Sequence, residues 1–118
     1  MQKEEILFHN KKIILEGSTT NLIMIKNNQM IIPKGNYYKG ITMNYLLNKF
    51  TNRYIFKSIN SSDLFSADEI ILVGSGKGVA SVKTIKEIGW KRKNLKQFKI
   101  LSKYYNSIIN KCTPYRFY

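Results

Sequence analysis

Residues 70–82 read I-I-L-V-G-S-G-K-G-V-A-S-V, and they predict two extended segments joined by a glycine-rich loop. The apolar run at residues 70–73 predicts a buried strand over residues 68–73, and residues 79–85 continue in extended form. The glycines between them lack a Cβ, so backbone N–H groups of the loop could close on an anion. A flexible turn between two strands is the alternative.

The loop resembles two known phosphate-binding motifs and satisfies neither of them. A Walker loop needs a glycine five positions before its Gly-Lys pair and a Ser or Thr after it, where this chain has Ile71 and Gly78. A dinucleotide fingerprint needs a third small residue three places after its second glycine, where this chain has Val79. The loop alone therefore suggests that an anion binds there, but it does not indicate a nucleotide.

Two β-hairpins are predicted ahead of the loop, because pairs of short apolar runs are joined by polar residues that favour turns. Pro33 ends the last of these strands, since proline has no N–H to donate to a ladder. The strands are expected at residues 6–8, 13–15, 22–25 and 30–32, with turns at residues 10–11 and 27–28.

Two main helices and a short one are also predicted. Thr42 is a plausible N-cap for the first, whose apolar residues between 43 and 50 share one face. A short helix follows Ser61, and a long amphipathic helix begins at Asn94. With a strand over residues 53–59, the expected class is α+β: antiparallel hairpins and a mixed sheet or pseudo-barrel with two main helices, in one domain.

The formal net charge of +13 suggests a polyanionic partner, but the composition favours another explanation. The excess comes from 17 scattered lysines against three arginines, and arginine is the residue preferred for phosphate and base contacts. Seventeen isoleucines, 12 asparagines and only two alanines indicate a bias towards A/T-rich codons. We therefore expect no nucleic-acid partner, and a basic nucleic-acid-binding module stays open as the alternative class.

The remaining composition excludes several kinds of protein. Cys112 is the single cysteine, which excludes a disulfide framework and a cysteine-based zinc site. His9 is the one histidine and has no second metal ligand at a useful spacing. No apolar run approaches the ~18 residues of a membrane span, and the charged residues 3–5 do not fit a signal peptide. We expect a cytoplasmic protein without a metal site.

Two further stretches are candidates for binding an anion or a ring nitrogen. Gly40-Ile41-Thr42 leads into the first predicted helix, where free N–H groups and the helix dipole favour an anion and Thr42 can add a hydroxyl. Helix capping by Thr42 alone is the alternative. Glu16 ends an apolar strand, where a fixed carboxylate could pair with a protonated ring nitrogen or simply be solvated.

The order of these blocks along the chain is more informative than any one block alone. I-L-E-G-S-T-T-N-L-I-M-I is followed by I-I-P, by K-G-I-T before a helix, and by S-A-D-E-I-I-L-V-G-S-G-K-G-V-A-S-V. This order resembles the C-terminal half of the class IV aminotransferases, the fold-type IV pyridoxal-phosphate enzymes. The family includes branched-chain and D-amino-acid aminotransferases and 4-amino-4-deoxychorismate lyase. The resemblance extends over residues 6–109.

The resemblance implies a cofactor, pyridoxal 5′-phosphate, and a set of roles. Glu16 matches the glutamate that pairs with the pyridine nitrogen of the cofactor and keeps it protonated. Asn21 matches an asparagine of the same block, for which a structural role is expected. The family also implies an amino-acid or aminodeoxychorismate substrate and a homodimer without a membrane or nucleic-acid partner.

The resemblance assigns the cofactor phosphate to two separate segments. Ile41 and Thr42 match the helix start that binds the phosphate, and Gly74 with Ser75 matches the loop that completes the phosphate cup. Gly76 lies where a backbone N–H can face the substrate carboxylate. The glycine-rich loop and the helix start are therefore expected to form the two halves of one cradle.

The chain also departs from the family pattern. Met43 stands where many relatives have arginine, and Ala80-Ser81-Val82 replaces a Thr-Pro-Val sequence. The Schiff-base lysine of the family falls before residue 1, so residues 1–118 are expected to be the C-terminal domain and to be inactive alone. The G-S-G-K-G-V stretch favours a 4-amino-4-deoxychorismate lyase, and an amino-acid aminotransferase stays open.

Overall fold

The computed structural model describes residues 7–10, 13–17, 20–35, 39–74 and 78–111, with side chains for 20–35, 39–74 and 78–107. These residues form ten strands, three α-helices and a short 3-10 helix at Lys86–Ile88. The strands and helices are β1 Leu7–Asn10, β2 Ile13–Gly17, β3 Asn21–Lys26, β4 Gln29–Pro33, α1 Ile41–Lys49, β5 Tyr54–Lys57, β6 Ile59–Asn60, α2 Ser61–Ser66, β7 Glu69–Gly74, β8 Gly78–Ser81, β9 Thr84–Ile85, β10 Trp90–Lys91 and α3 Lys96–Lys111.

The predicted class is confirmed, because β1 to β8 form one mixed sheet that is flanked by helices. The second hairpin, β3–β4, turns at Asn27 and Asn28, whose φ angles are 51° and 63°. Two consecutive positive φ angles are typical of a type I′ turn, which asparagine tolerates better than most residues. The predicted turn and the end of β4 at Pro33 are therefore confirmed.

The centre of the sheet is the antiparallel pair β3 and β7, in which Leu22 lies opposite Leu72. Both strands are buried along almost their whole length, as expected for strands covered on both faces. Alternate residues of the pair enter two hydrophobic clusters, one on each face. The first cluster includes Met43 and Leu46 of α1 and Leu101 of α3.

The second cluster packs on the opposite face of the sheet beneath α2 and β10. It includes Leu64 and Trp90, and the indole Nε1 of Trp90 donates a hydrogen bond to the carbonyl oxygen of Ala67 at 2.9 Å. Helix α2 begins with a capping box in which the side chains of Asn60 and Asp63 each accept a bond from the other's backbone N–H. Among the described residues, no helix is long and apolar enough to cross a membrane.

The single strand predicted over residues 53–59 is wrong, because the structure contains two strands there. Strand β5 runs parallel to β4, with Lys57 opposite Pro33, whereas β6 pairs antiparallel with β2, with Ile59 opposite Ile14. An apolar pattern does not specify which partner strand each half of the segment meets, and here it does not report burial either, because Ile55 and Phe56 are about half exposed.

Helix α3 starts against a buried acidic side chain from the central sheet. Glu69 of β7 is only 1% exposed, and its two carboxylate oxygens accept hydrogen bonds from the N–H groups of Gln97 and Phe98 at 2.9 and 3.0 Å. Leu95 is at the cap position, because its carbonyl oxygen accepts the bond from Lys99 N. Its side chain is apolar and cannot cap the helix. Glu69 therefore caps the N–H groups of Gln97 and Phe98 from a distant strand, while Asn94 Oδ1 accepts from Lys96 N at 3.1 Å.

We expect Gly78→Ala to destabilise the chain by about 2–4 kcal/mol, through backbone strain and a steric clash. Gly78 has a φ of 71°, and a Cβ there would lie 2.7 Å from Cε1 of Tyr105. Gly89 is a matched control, because its φ is 66° but a Cβ would meet nothing within 4 Å. Gly89→Ala should cost about 1–2 kcal/mol in urea-induced unfolding. Equal costs for the two variants would contradict the clash with Tyr105.

Candidate functional site

Three parts of the chain that are distant in sequence meet at Asn21, the first residue of β3. The strand pairings place Asn21 opposite Glu16 of β2 on one side and opposite Val73 of β7 on the other. The buried side chain of Asn21 accepts a hydrogen bond through Oδ1 from the N–H of Gly40 at 2.9 Å. Asn21 thus joins two strand ends to the residue that begins helix α1.

The start of α1 carries backbone donors that the helix itself does not use. Gly40 is the N-cap in an extended conformation, and the first intrahelical bond runs from Asn44 N to Gly40 O at 3.0 Å. The N–H groups of Ile41, Thr42 and Met43 precede that bond and have no acceptor within the helix. The first turn contains no acidic residue, so no side-chain carboxylate in that turn competes with a bound anion for these N–H groups.

The prediction that Thr42 caps α1 is wrong. Gly40 occupies the cap, no side chain accepts a cap hydrogen bond there, and Thr42 is the second residue inside the helix. A residue with helical backbone angles cannot turn its hydroxyl to the N–H groups one turn ahead, as an N-cap does. The predicted helix start is nevertheless in the right place, and Ile41 is 80% exposed there.

Gly74 lies at the end of β7, immediately after Val73, which is opposite Asn21. It pairs with Gly78 across the β7–β8 hairpin, so the predicted arrangement of two extended segments around the glycine loop is confirmed. Ser75 and Gly76 lie outside the described residues, and for Glu16 only the backbone is described. Their predicted contacts with a cofactor and a substrate stay predictions.

The bond from Gly40 N to the side chain of Asn21 was not predicted from the sequence. The two residues are 19 positions apart, and no local pattern couples a strand residue to a helix start at that distance. The order of the blocks in the resemblance was the only indication that they would meet. The expected structural role of Asn21 agrees with this contact.

We expect Asn21→Leu to reduce the hydrogen-exchange protection of the Gly40 amide about tenfold or more, because a buried side-chain acceptor of this kind is worth about 1–3 kcal/mol. Asn21→Asp keeps an acceptor at the same position and should retain most of the protection. Asn44→Ala is the matched control, because Asn44 Nδ2 donates to Lys39 O at the same helix end from an exposed position. Unchanged protection of Gly40 in Asn21→Leu would show that this bond does not hold the helix start.

Comparison with known proteins matches the same blocks. The sequence profile of the family described as "Amino-transferase class IV" matches residues 2–85. A protein of Aquifex aeolicus (strain VF5), named "Probable branched-chain-amino-acid aminotransferase", is 30% identical over 126 aligned positions. The alignment covers 96% of this chain and 39% of that protein, so this chain spans about two fifths of the relative's length.

Solved structures share the fold. 4-Amino-4-deoxychorismate lyase from Pseudomonas aeruginosa has a TM-score of 0.75 and 20% identity, over 87% of this chain and 40% of that chain. The T.th. branched-chain amino acid aminotransferase complexed with N-(5'-phosphopyridoxyl)-L-glutamate has a TM-score of 0.75 and 16% identity, over 92% and 39% of the two chains. At these identities the likeness shows a common fold. Together with the profile match, it confirms the resemblance: the chain belongs to the class IV aminotransferase family.

Proposed function

We propose that this chain forms the C-terminal domain of a pyridoxal-phosphate-dependent class IV enzyme and provides its phosphate cradle and ring-nitrogen partner. The observation that carries the proposal is the hydrogen bond from Gly40 N to Asn21 Oδ1 at 2.9 Å. This bond holds the start of α1 against the strand junction where Glu16 and Val73 are paired with Asn21. The family's three sequence blocks thereby converge on one place.

The described residues fit a phosphate group at the start of α1. The N–H groups of Ile41, Thr42 and Met43 are oriented along the helix axis at the positive end of its dipole. Such an end favours an anion by about 0.3–1 kcal/mol when exposed and by up to ~2 kcal/mol when partly buried. The hydroxyl of Thr42 is not used as a cap, so it can donate to a phosphate oxygen. Gly74 and Ser75 are proposed to close the cradle from the β7–β8 side.

Glu16 is proposed to hold the proton on the ring nitrogen of the cofactor. Its Cα lies opposite that of Asn21 in the β2–β3 pair, and Asn21 in turn holds the start of α1, where the phosphate is proposed to bind. Pyridoxal phosphate supplies an electron sink for the charge that develops on the substrate carbon. Gly76 is proposed to offer its N–H to the substrate carboxylate.

The proposal also includes a second domain outside residues 1–118, which would supply the lysine that bonds the cofactor, and a homodimeric, cytoplasmic enzyme. Lys11 and Lys12 match no catalytic position of the family. This chain covers 39% of the Aquifex relative, which leaves room for such a domain. We expect the isolated chain to show neither transaminase nor lyase turnover. Turnover with a stoichiometric, borohydride-reducible adduct at one of its own lysines would contradict this division of roles.

For the substrate, we propose 4-amino-4-deoxychorismate, on the basis of the G-S-G-K-G-V stretch at residues 74–79. A branched-chain or D-amino-acid aminotransferase is the second candidate, and the name of the Aquifex relative supports the branched-chain activity. Production of 4-aminobenzoate and pyruvate by the complete enzyme supports the lyase. Transfer of the amino group to 2-oxoglutarate without those products supports the aminotransferase.

The phosphate cradle is testable on this chain with pyridoxamine 5′-phosphate, which lacks the aldehyde that would react with the lysines. We expect pyridoxamine, without the phosphate, to bind at least tenfold more weakly. Thr42→Ala should raise the Kd of pyridoxamine 5′-phosphate about tenfold, since a hydrogen bond to a charged oxygen is worth about 1.5–3 kcal/mol. Ser75→Ala should have a similar effect, and Lys77→Ala a smaller one.

The matched control is Thr51→Ala at the other end of the same helix. The Thr51 hydroxyl donates to the carbonyl oxygens of Leu47 and Asn48, so its removal changes α1 without touching the cradle. Thr51→Ala should leave the Kd unchanged. Equal affinities for the two compounds would contradict a phosphate site. Salt-dependent binding of mixed oligonucleotides at physiological ionic strength would instead favour the basic nucleic-acid-binding alternative.

A further inference from the structure

A second candidate binding site lies at the C-terminal end of α1, away from the phosphate cradle. It is a crevice of about 310 Å³, at the lower end of the volumes of small-molecule sites. Its lining comes from the β3–β4 turn, the residues after α1, and the first turns of α3. These include Asn28, Met30, Phe50, Arg53, Gln97 and Ile100. The nine residues of α1 separate it from Gly40 by about 13 Å.

The backbone of Arg53 is held at the crevice by two hydrogen bonds, and its exposed side chain lies beside the Phe50 ring. Its N–H donates to the carbonyl oxygen of Phe50 at 2.9 Å, and its carbonyl oxygen accepts from Nε2 of Gln29 at 3.1 Å. The guanidinium carbon lies 5.9 Å from the centre of the Phe50 ring, within cation–π distance. Among the described residues, no carboxylate pairs with this guanidinium. An unpaired guanidinium beside the crevice is a ready partner for an anion.

The other residues that line the crevice indicate which chemical class of anion would fit it. Met30 and Phe50 are buried and form an apolar floor, and Ile100 is 45% exposed on the wall provided by α3. Asn28 and Gln97 add amide groups, and no acidic residue lines the crevice. Apolar surface beside a single guanidinium suits a flat apolar body that carries one carboxylate, since the guanidinium can bind both carboxylate oxygens at once.

The negative end of the α1 dipole would oppose an anion if its carbonyl groups were free. Three of the last four carbonyl groups of α1 are instead engaged. The Thr51 hydroxyl donates to the carbonyl oxygens of Leu47 and Asn48, and Phe50 N donates to Leu46 O. We propose that the crevice binds a small aromatic or branched monocarboxylic acid, with its carboxylate on Arg53 and its apolar body on Met30, Phe50 and Ile100.

The test is a titration of the isotope-labelled chain with benzoate at fixed ionic strength, followed by two-dimensional NMR. We expect saturable shifts confined to the amides around the crevice, with a Kd of about 1–10 mM for so small a ligand. Arg53→Gln should raise the Kd at least fivefold. Arg53→Lys should raise it at least threefold, because an ammonium keeps the charge but cannot bind both oxygens in a planar pair. Benzamide, which lacks the charge, should bind at least fivefold more weakly.

Lys57→Gln is the control for net charge, because Lys57 is exposed and does not line the crevice. This variant should bind benzoate with the wild-type Kd. Arg53 is exposed, so its variants should fold, and their spectra outside the crevice should match the wild type. An unchanged Kd in Arg53→Gln, equal binding of benzamide, or shifts scattered over the lysine-rich surface would each overturn the proposal. None of these outcomes depends on the cofactor site.

Discussion

Replacement of Glu69 by glutamine should lower the free energy of unfolding by about 2–4 kcal/mol, the largest stability loss that we expect from a single isosteric change. The carboxylate of Glu69 is buried and accepts from Gln97 N and Phe98 N through its two separate oxygens. An amide keeps one oxygen and turns an NH₂ donor towards the other N–H. One buried donor therefore loses its acceptor, and the remaining bond loses its charge.

The loss should appear in urea-induced unfolding and as a fall of several degrees in Tm. Glu87→Gln makes the same chemical change at an exposed position in the 3-10 helix and should cost no more than about 0.5 kcal/mol. Hydrogen exchange should accelerate first at the amides of Gln97 and Phe98. If Glu69→Gln is as stable as Glu87→Gln, the carboxylate does not anchor α3.

Local patterns in the sequence were sufficient to predict most of the elements. The turn at Asn27 and Asn28, the end of β4 at Pro33 and the face of α1 that carries Met43 and Leu46 depend on neighbouring residues, and the structure has them. Periodicity and turn chemistry act over a few residues, so they predict local structure well.

Contacts between distant segments could not be predicted in that way. Glu69 meets Gln97 across 28 residues, and Asn21 meets Gly40 across 19. Neither a buried glutamate in an apolar strand nor an asparagine at a strand start has a local signature that names its partner. The order of the family blocks indicated that Glu16, Gly40 and Gly74 belong to one site, but the bond that holds the helix start is visible only in the structure.

The largest effect on activity should follow Glu16→Gln in the complete enzyme of which we propose this chain to be a part. We expect kcat to fall at least 100-fold, which corresponds to about 2.7 kcal/mol of lost transition-state stabilisation. A carboxylate near a ring nitrogen favours its protonated form, whereas an amide carries no charge to do so. The protonated nitrogen matters most when negative charge develops on the substrate, so the loss should appear in kcat rather than in cofactor retention.

Cofactor retention should change less than tenfold in Glu16→Gln, because the phosphate is proposed to be held at the start of α1, at Ile41 and Thr42. Thr42→Ala should show the opposite pattern, with weaker retention and a smaller loss of kcat at saturating cofactor. Glu87→Gln, an identical change at an exposed site, should leave both quantities within about twofold. A wild-type kcat in Glu16→Gln would contradict the proposed role of Glu16 at the ring nitrogen. A retention loss larger than that of Thr42→Ala would mean that Glu16 serves to bind the cofactor and not to hold its proton.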